Sequence, residues 1–387
     1  MSTSFDVVVV GGGIHGVGVA QAAAVRGYRV RLLEQSALAS GTSSRSSKLV
    51  HGGLRYLESG RLGLVRESLK ERETLLRIAP ELVERRAFYI PIYAQSRRSP
   101  PWVTAGLVLY RWLAGREGGQ FERVRRSAWG ELDGLATRDL KAVFRYNDAQ
   151  TDDVALTRAV ARSAEDFDAE IVLGARFIGA ERAGAGYEVR FVRAGRVETC
   201  VARTLVNAAG PWAGDVLGRV LPGPPRRAFD LVEGTHIVTK GTLTQGIYYG
   251  EAPADGRAVF MMPWHGQILT GTTERLYVGD PALVAPTPTE IAYLQEALAR
   301  HFPGLTTTVA EAFAGLRVLP HAAQGLNARS RETVLLADAP QARLISVLGG
   351  KLTGYRRTAE RVMERLAGAL PERPARADTA RLILPVP

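Results

Sequence analysis

At 387 residues, 46% of them apolar and 23% charged, the chain is ordinary for a globular protein and long enough for two domains. It contains no run of about 18 uncharged apolar residues and no basic segment before an N-terminal apolar run. We therefore expect neither a transmembrane helix nor a signal peptide, and a cytoplasmic location. The single cysteine, Cys200, excludes an internal disulfide.

The net charge of +11 indicates a basic surface, an anionic substrate or an anionic membrane surface as partner. No basic block with interleaved aromatic residues occurs, so nucleic acid is not expected as a partner. No two histidines stand at metal-ligand spacing, so no metal site is expected.

The first elements of the chain predict a dinucleotide-binding unit. Phe5–Val10 has the β-branched composition of a buried strand, and residues 11–16 satisfy the pattern G-x-G-x-x-G. A helical stretch from about Val17 to Val25 follows, and residues 29–33 form a second predicted strand. Because strand, glycines, helix and second strand arrive in this order, the motif is far more specific than its glycines alone.

Each glycine of this motif has a physical task. Gly11 permits a tight turn, Gly13 lets the backbone approach a pyrophosphate, and Gly16 allows the helix to pack closely on the strand. The free N–H groups at the helix entrance, at Ile14 and His15, then face the phosphates together with the positive end of the helix dipole.

An acidic residue completes the unit. Glu34 closes the second strand, with Gln35 beside it, and its carboxylate can accept hydrogen bonds from the adenosine ribose. The same carboxylate would repel a 2′-phosphate, which disfavours an NADP-type ligand. No second G-x-G-x-x-G occurs in the chain, so the single bound dinucleotide is expected to be the redox cofactor itself.

The string TSSRSSKLVHGGLRYLE at residues 42–58 resembles the flavin-contacting segment of FAD-dependent glycerol-3-phosphate dehydrogenases, within the D-amino-acid-oxidase-like flavoprotein superfamily. Similar motifs recur in segments 151–153, 206–212, 234–238, 263–274 and 349–356, so the resemblance covers roughly residues 5–367. It implies an α/β fold: a Rossmann-like FAD-binding domain of the GR2/DAO type with an inserted antiparallel β substrate domain.

Three departures from the family pattern stand out. His15 occupies a position where the family commonly has Asn, and residues 315–319 read GLRVL where the family has GVRPL. The family also carries a further C-terminal helical domain, whereas this chain ends at residue 387, so we expect that domain to be lacking. This expectation leaves the substrate and the electron acceptor open.

The resemblance implies non-covalent FAD, because Cys200 lies in a predicted hairpin away from the flavin motifs. An ordinary solvated loop is the alternative for residues 42–48, although a lysine within this arginine-rich chain favours a functional role. The predicted cofactor contacts beyond the first motif are Thr42, Ser43, Ser44, Ser47, Lys48, Gly52, Gly53, Leu54, Ala209, Gly210, Trp212, Gly350, Lys351, Leu352 and Thr353.

The resemblance also implies an anion pocket for the substrate. Arg55, Arg317 and Arg331 match family arginines, and converging guanidinium groups require a phosphate or carboxylate between them. Arg329 replaces Arg331 if the alignment slips by two residues. Tyr56 and Lys351 complete the predicted substrate contacts.

His236 is the candidate general base, since a neutral imidazole can accept the proton of a substrate hydroxyl. By resemblance it faces the reactive edge of the flavin, and we group it with Arg55 and Arg317 as the catalytic set. A purely structural histidine is the alternative.

The predicted domain organisation is discontinuous. Residues 1–92, 145–225 and 325–370 are expected to form the FAD-binding domain, and residues 226–324 the substrate domain. Residues 93–144 form a helical cap or a membrane-facing segment, and residues 371–387 an extended or loosely attached tail. The mixture of arginine, tryptophan and apolar residues at 97–112 fits either a membrane surface, with a quinone as acceptor, or packing inside the protein.

Three functional hypotheses follow. The first is an FAD-dependent dehydrogenase that oxidises sn-glycerol 3-phosphate to dihydroxyacetone phosphate by hydride transfer to flavin N5, with quinone or another acceptor. The second is a related flavoenzyme that acts on another small anionic hydroxy or amino acid. The third is a non-catalytic flavin-binding subunit. The sequence gives no indication of oligomeric state.

Overall fold

The computed structural model describes residues 4–115, 120–321 and 332–386. The described residues form seven α-helices: α1 (Ile14–Ala24), α2 (Leu62–Ile78), α3 (Pro100–Ala114), α4 (Asp153–Glu165), α5 (Ala213–Leu217), α6 (Pro288–His301) and α7 (Tyr355–Leu366). They form nineteen strands: β1 (Ser4–Val10), β2 (Val30–Glu34), β3 (Leu49–Val50), β4 (Val83–Tyr93), β5 (Glu122–Arg123), β6 (Leu140–Thr151), β7 (Glu170–Leu173), β8 (Ala175–Ala183), β9 (Gly186–Arg193), β10 (Arg196–Asn207), β11 (Val220–Leu221), β12 (Phe229–Thr239), β13 (Ile247–Glu251), β14 (Ala258–Trp264), β15 (Gln267–Gly271), β16 (Arg275–Tyr277), β17 (Val309–Pro320), β18 (Val334–Ala337) and β19 (Leu344–Leu348).

The first sheet is built around β1, which is apolar on both faces as a covered parallel strand requires. Val7 and Val9 pack into the cluster formed with α1, α4 and α7, whereas Val8 and Val10 pack against β8, β9 and α5. The strand order is β11-β8-β9-β10-β1-β2-β7, with β19 beside β10 and β18 beside β19. The pairs of β1 with β2 and with β10, and of β10 with β19, are all parallel.

Strand β10 differs from the sequence prediction, which separates a hairpin strand at 197–201 from a second strand at 204–206. The structure has one continuous strand, whose first part pairs antiparallel with β9 and whose last part pairs parallel with β1. No glycine or proline lies between residues 201 and 204, so nothing in the sequence ends the strand there.

The second sheet has the order β16-β12-β15-β14-β13-β4-β6-β3, with β17 beside β12 and β5 beside β6. Its pairs are antiparallel except for β13 with β4. The long pair of β4 with β6 corrects the predicted boundaries, because residues 83–93 and 140–151 extend this sheet and not the dinucleotide-binding one. Those strands were missed because their antiparallel partners lie about fifty residues apart in sequence, without a hairpin turn between them.

Helix α3 has two apolar faces. Val103, Leu107 and Tyr110 are buried in the core of the second sheet, whereas Trp102 and Trp112 are 60% and 73% exposed. Packing inside the protein and exposure at the surface, which the sequence left as alternatives, are therefore both present on one helix. Among the described residues, no helix is long and apolar enough to cross a membrane.

The tail beyond α7 is hydrogen-bonded to the rest of the protein, so of the two alternatives from the sequence, an extended or a loosely attached tail, loose attachment does not hold. It has no helix or strand, but the backbone N–H of Arg376 donates to the carbonyl of Val25 at 2.6 Å, and that of Leu384 to the carbonyl of Ile78 at 2.7 Å. Leu384 and Thr379 are buried. The tail thus ties the ends of α1 and α2 together across the outside of the FAD-binding sheet.

Candidate active site

The carboxyl ends of β1, β10 and β19 lie side by side, since Asn207 pairs with both Val10 and Ser346. The glycine-rich loops that follow these strands therefore meet at one edge of the sheet, where ligands of open α/β sheets bind. A Cβ atom on Gly11 would lie 2.6 Å from the carbonyl oxygen of Ala208, and one on Gly350 would lie 2.5 Å from Nε2 of His15. Two glycine motifs more than 300 residues apart are thus in contact.

These loops border a cavity of about 630 Å³ that reaches from Glu34 in the first sheet to His236 and Arg317 in the second. Most of the predicted cofactor contacts line it: Gly11, Gly13, Ile14, His15, Glu34, Gln35, Thr42, Ser43, Ser47, Ala209, Gly210, Trp212, Gly350, Lys351, Leu352 and Thr353.

The entrance of α1 is held open for a phosphate-bearing ligand. Gly13 meets only Ser43 Oγ within 4 Å of a built Cβ, at 3.1 Å, so its cavity side is clear. Ser43 Oγ accepts a hydrogen bond from the backbone N–H of Ile14 at 2.9 Å, which fixes the 42–44 turn against the helix. His15 Nδ1 is buried without a hydrogen-bond partner among the described residues, and burial lowers the pKa of this histidine to about 4. A polar ligand such as a dinucleotide supplies the missing partner.

The carboxylate of Glu34 is fixed at the adenosine end of the cavity. Its Oε2 accepts from the backbone N–H of Gly12 at 2.7 Å, and its Oε1 accepts from that of Ser36, also at 2.7 Å. Glu34 lines the cavity, so a ribose diol bound at this end would donate to its carboxylate. These features fit FAD.

Six of the predicted cofactor residues do not line this cavity: Gly16, Ser44, Lys48, Gly52, Gly53 and Leu54. Lys48 is buried, and its Nζ donates to Asp153 at 2.6 Å and to the backbone carbonyl of Ser44 at 2.7 Å. The side chains of Lys48 and Asp153 therefore hold segment 42–48 against α4. Gly16 packs on the carbonyl of Gly11, and Gly52 packs between Tyr110 and Leu69. Lys48 was predicted to contact the cofactor because lysine is rare in this chain, but a rare residue type carries no information on side-chain direction.

A second cavity, of about 120 Å³, adjoins the first, and the two share Ser47, His51, Tyr56 and Arg317. It brings together the predicted residues Gly53, Leu54, Arg55, Tyr56 and Arg317. Arg331 and Arg329 lie outside the described residues. The lining residues that the sequence analysis missed include His51, Tyr249, Arg257 and Glu274.

Arg317 lies on β17 opposite β12, where Gly234 leaves room for its guanidinium group. Its Nη1 donates to Glu274 Oε1 at 3.2 Å, and its Nη2 donates to Thr272 Oγ at 3.1 Å. The side chain remains 24% exposed toward the cavities. Arg317 is therefore oriented by its partners yet accessible to a ligand.

The two histidines near the junction of the cavities differ in environment. His236 is 2% exposed, stacks on Phe313 with ring centroids 5.1 Å apart, and shares a hydrogen bond with Ser47 Oγ at 2.9 Å. Burial, followed by the charges of Arg317 and Lys48, lowers the pKa of His236 to about 3. It lines the larger cavity only.

His51, by contrast, lines both cavities. Its backbone N–H donates to Thr353 Oγ at 3.1 Å, which ties it to the second glycine motif, and its ring packs edge-on against Phe260. The signal that could have revealed it is its place directly before Gly52 and Gly53 in the most specific string of the sequence.

Lys351 lies where the two glycine motifs and the second cavity meet. Its Nζ lies 3.8 Å from the ring centroid of Tyr56 and donates to Ser68 Oγ at 3.3 Å. A fixed cation at this position stabilises negative charge on a bound ligand.

A mixed sheet whose parallel strands end in glycine-rich helix entrances, covered by a second sheet with an arginine-lined cavity, is the architecture of a dinucleotide-dependent oxidoreductase. The chain belongs to the DAO family of FAD-dependent oxidoreductases, whose family model matches residues 6–356. FAD is therefore its cofactor. The family, the fold class and the cofactor predicted from the sequence are confirmed.

Several known proteins are similar to the chain. It is 38% identical to D-erythritol 1-phosphate dehydrogenase of Brucella abortus, over 95% of this chain and 74% of that protein. It is also 38% identical to glycerol-3-phosphate dehydrogenase of Pseudomonas aeruginosa, over 94% and 71%. Among solved structures, glycerol-3-phosphate dehydrogenase of Bacillus halodurans complexed with FAD matches with a TM-score of 0.77 and 28% identity, over 98% of this chain and 68% of that one.

Proposed function

We propose that the chain oxidises sn-glycerol 3-phosphate to dihydroxyacetone phosphate. The observation that carries this proposal is the second cavity, in which Arg55, Arg257 and Arg317 converge beside the junction with the FAD cavity. Guanidinium groups bind phosphate through paired N–H donors, so the phosphate end of the substrate belongs here. The hydroxyl-bearing carbon then extends toward His51 and the larger cavity.

His51 is the residue that we propose as the general base. It lines both cavities, so its imidazole is accessible from the position of the substrate hydroxyl. His236 is less suited, because it is buried, lines only the larger cavity and shares its Nε2 with Ser47. When bound, the isoalloxazine ring of FAD supplies the acceptor for the hydride that leaves the same carbon.

D-Erythritol 1-phosphate is the second candidate substrate. The relative that carries this name is as similar to the chain as the glycerol-3-phosphate dehydrogenases are. Both compounds place a secondary hydroxyl near a phosphate monoester, so the arginine set suits either. The longer compound needs additional room on the side of the cavity lined by Tyr249 and Phe260.

Anaerobic reduction of the enzyme-bound flavin tests the assignment. The purified holoenzyme is mixed with glycerol 3-phosphate, erythritol 1-phosphate, glycerol, lactate or an amino acid, and the oxidised flavin absorbance is followed. Rapid bleaching by glycerol 3-phosphate, but not by glycerol, is the expected result. Faster bleaching by erythritol 1-phosphate supports the second candidate. Bleaching only by lactate or an amino acid contradicts both, and no bleaching by any compound favours a non-catalytic flavin-binding subunit.

We further propose that the enzyme works at a membrane surface with a quinone as the final electron acceptor. The outer face of α3 presents Trp102, Val108 and Trp112 to solvent, each more than half exposed. Tryptophan favours the interface between lipid and water, and the exposed Arg111 and Arg66 nearby favour anionic lipid headgroups. The arrangement supports peripheral attachment through one face of one helix.

A further inference from the structure

Glu274 is a carboxylate in an otherwise basic cavity, and nothing in the reaction requires a negative charge there. Its side chain is 2% exposed and follows β15, whereas the two arginines beside it come from β17 and from the turn before β14. An isolated buried carboxylate is strongly unfavourable, so its position between two guanidinium groups is a built feature of the cavity.

The two oxygens of Glu274 contact different arginines. Oε1 accepts a hydrogen bond from Arg317 Nη1 at 3.2 Å, and Oε2 lies 3.5 Å from Arg257 Nη1. The side chains of these arginines are 24% and 15% exposed, so each retains a surface toward the cavity. The carboxylate of Glu274 therefore sets the distance between two guanidinium groups, one on β17 and one in the turn before β14.

The charge balance of the cavity points in the same direction. Among the described residues that line it, Arg55, Arg257 and Arg317 are cationic and Glu274 is anionic. Two positive charges are left in excess, which match a phosphate monoester with its charge of about −2 at neutral pH. A carboxylate substrate with a single negative charge would leave the cavity with uncompensated positive charge.

We propose that Glu274 is a positioning residue that holds Arg257 and Arg317 as a two-arginine clamp for a dianionic phosphate group, and that Arg257 is a phosphate-binding residue. The inference rests on the proposed function for the identity of its substrate. It goes beyond that function by assigning phosphate selectivity to a carboxylate and by adding an arginine from the β13–β14 turn.

The test is a double-mutant cycle on the binding of inorganic phosphate to the oxidised holoenzyme, followed through the perturbation of the flavin spectrum. The variants are Glu274→Gln, Arg257→Gln and the two combined. Because the clamp acts as a unit, each single change is expected to raise the Kd for phosphate by about tenfold or more, and the double variant to resemble either single one. Glu311→Gln, at an exposed position on β17, is the control and is expected to leave the Kd unchanged.

If the double variant raises the Kd for phosphate by the product of the two single effects, the arginines and Glu274 act independently and the clamp is refuted. The clamp is also refuted if Glu274→Gln binds phosphate as tightly as the unchanged enzyme does. If Glu274→Gln does not retain FAD, Glu274→Asp replaces it, because it keeps the charge while shortening the reach, and an intermediate Kd is expected. Phosphate binding without any bleaching by glycerol 3-phosphate or erythritol 1-phosphate would refute the proposed function but leave the clamp intact. Bleaching with independent effects in the cycle would refute the clamp alone.

Discussion

The environments of two histidines separate a structural role from a chemical one. His236 hydrogen-bonds Ser47 within the wall of the larger cavity, and His51 lies where both cavities join. Replacing His51 with Asn is expected to lower kcat by about 100-fold or more, as the loss of a general base does. His236→Asn keeps a hydrogen-bonding side chain toward Ser47 and is expected to stay within about tenfold of the unchanged enzyme.

Steady-state kinetics at several pH values, normalised to FAD content, check this assignment. Loss of the acidic limb of the pH dependence of kcat, where protonation of the base abolishes activity, is expected for His51→Asn only. A larger loss of kcat in His236→Asn than in His51→Asn would show that His236, the base suggested by the sequence, is the general base.

At this scale the sequence predicts residues that lie within a contiguous motif. Arg55, Tyr56 and Arg317 each lie in a string with a family resemblance, and all three line the second cavity. Arg257 and Glu274 do not stand out in the sequence, because they come within 3.5 Å of each other, beside Arg317, only when the second sheet assembles. Lys48 illustrates the reverse case, since its ammonium group turns away from the cavity to pair with Asp153.

The helix entrance formed by β1, its glycines and α1 permits a test at the level of an element. Gly13 has a β-region conformation, and a Cβ there would lie 3.1 Å from Ser43 Oγ, so Gly13→Ala requires only a small shift of that side chain and is compatible with folding. Its methyl group would nevertheless occupy the approach of the pyrophosphate. The Kd for FAD is expected to rise by at least about tenfold, with little change in the thermal midpoint of the apoprotein.

Fluorescence titration of apoprotein with FAD measures this effect. Gly106→Ala is the matched control, because a Cβ on this α3 glycine meets nothing within 4 Å and FAD affinity should not change. Unchanged affinity in Gly13→Ala would place the pyrophosphate elsewhere along the cavity.

Helix α3 provides a second prediction at this scale. Substituting both Trp102 and Trp112 with Ala removes the largest exposed apolar side chains of its outer face without touching the buried one. Co-sedimentation with anionic phospholipid vesicles is expected to fall by at least about tenfold, while soluble turnover is retained. The control is Val197→Ala, a change at an exposed residue of the first sheet. Equal vesicle binding by the double variant would contradict membrane contact through α3.

At the scale of the whole molecule, three buried histidines link stability to pH. Burial is the largest cause that lowers the pKa of His15 and His301 to about 4 and that of His236 to about 3, against 6.5 when unfolded. The unfolded chain therefore binds more protons between pH 6.5 and about 4, so the stabilisation is complete above pH 6.5 and is lost as the pH falls through this window. Each histidine contributes a slope of about 1.4 kcal/mol per pH unit.

Thermal or urea unfolding between about pH 7.5 and about pH 5 is expected to show this loss before the carboxylates titrate. His301 lies outside the site, with its Nε2 hydrogen-bonded to the carbonyl of Glu251 at 3.0 Å. His301→Gln should therefore reduce the slope by about a third. A flat stability profile across this range would show that the histidines are protonated in the folded state.

The overall architecture was predictable where local pattern and chain order agree, and not where distant strands combine. The strand–glycine–helix unit at the N-terminus predicts the first sheet, because its parts are consecutive. The extent of the second sheet was not predictable from the sequence. β4 and β6 are separated by α3, and β4 also pairs with β13, which lies more than 150 residues later in the sequence. The tail likewise carries no periodic pattern, and its attachment depends on backbone groups of α1 and α2.

The contact between His15 and Gly350 has a consequence for biosynthesis. The first turn is translated well before the second, because more than 300 residues separate them in the chain. Until β19 pairs with β10, the nascent polypeptide therefore has only the first of the two glycine-rich turns of the FAD site in place. Flavin can therefore contact both turns only after residue 350 has been synthesised and β19 has joined the first sheet.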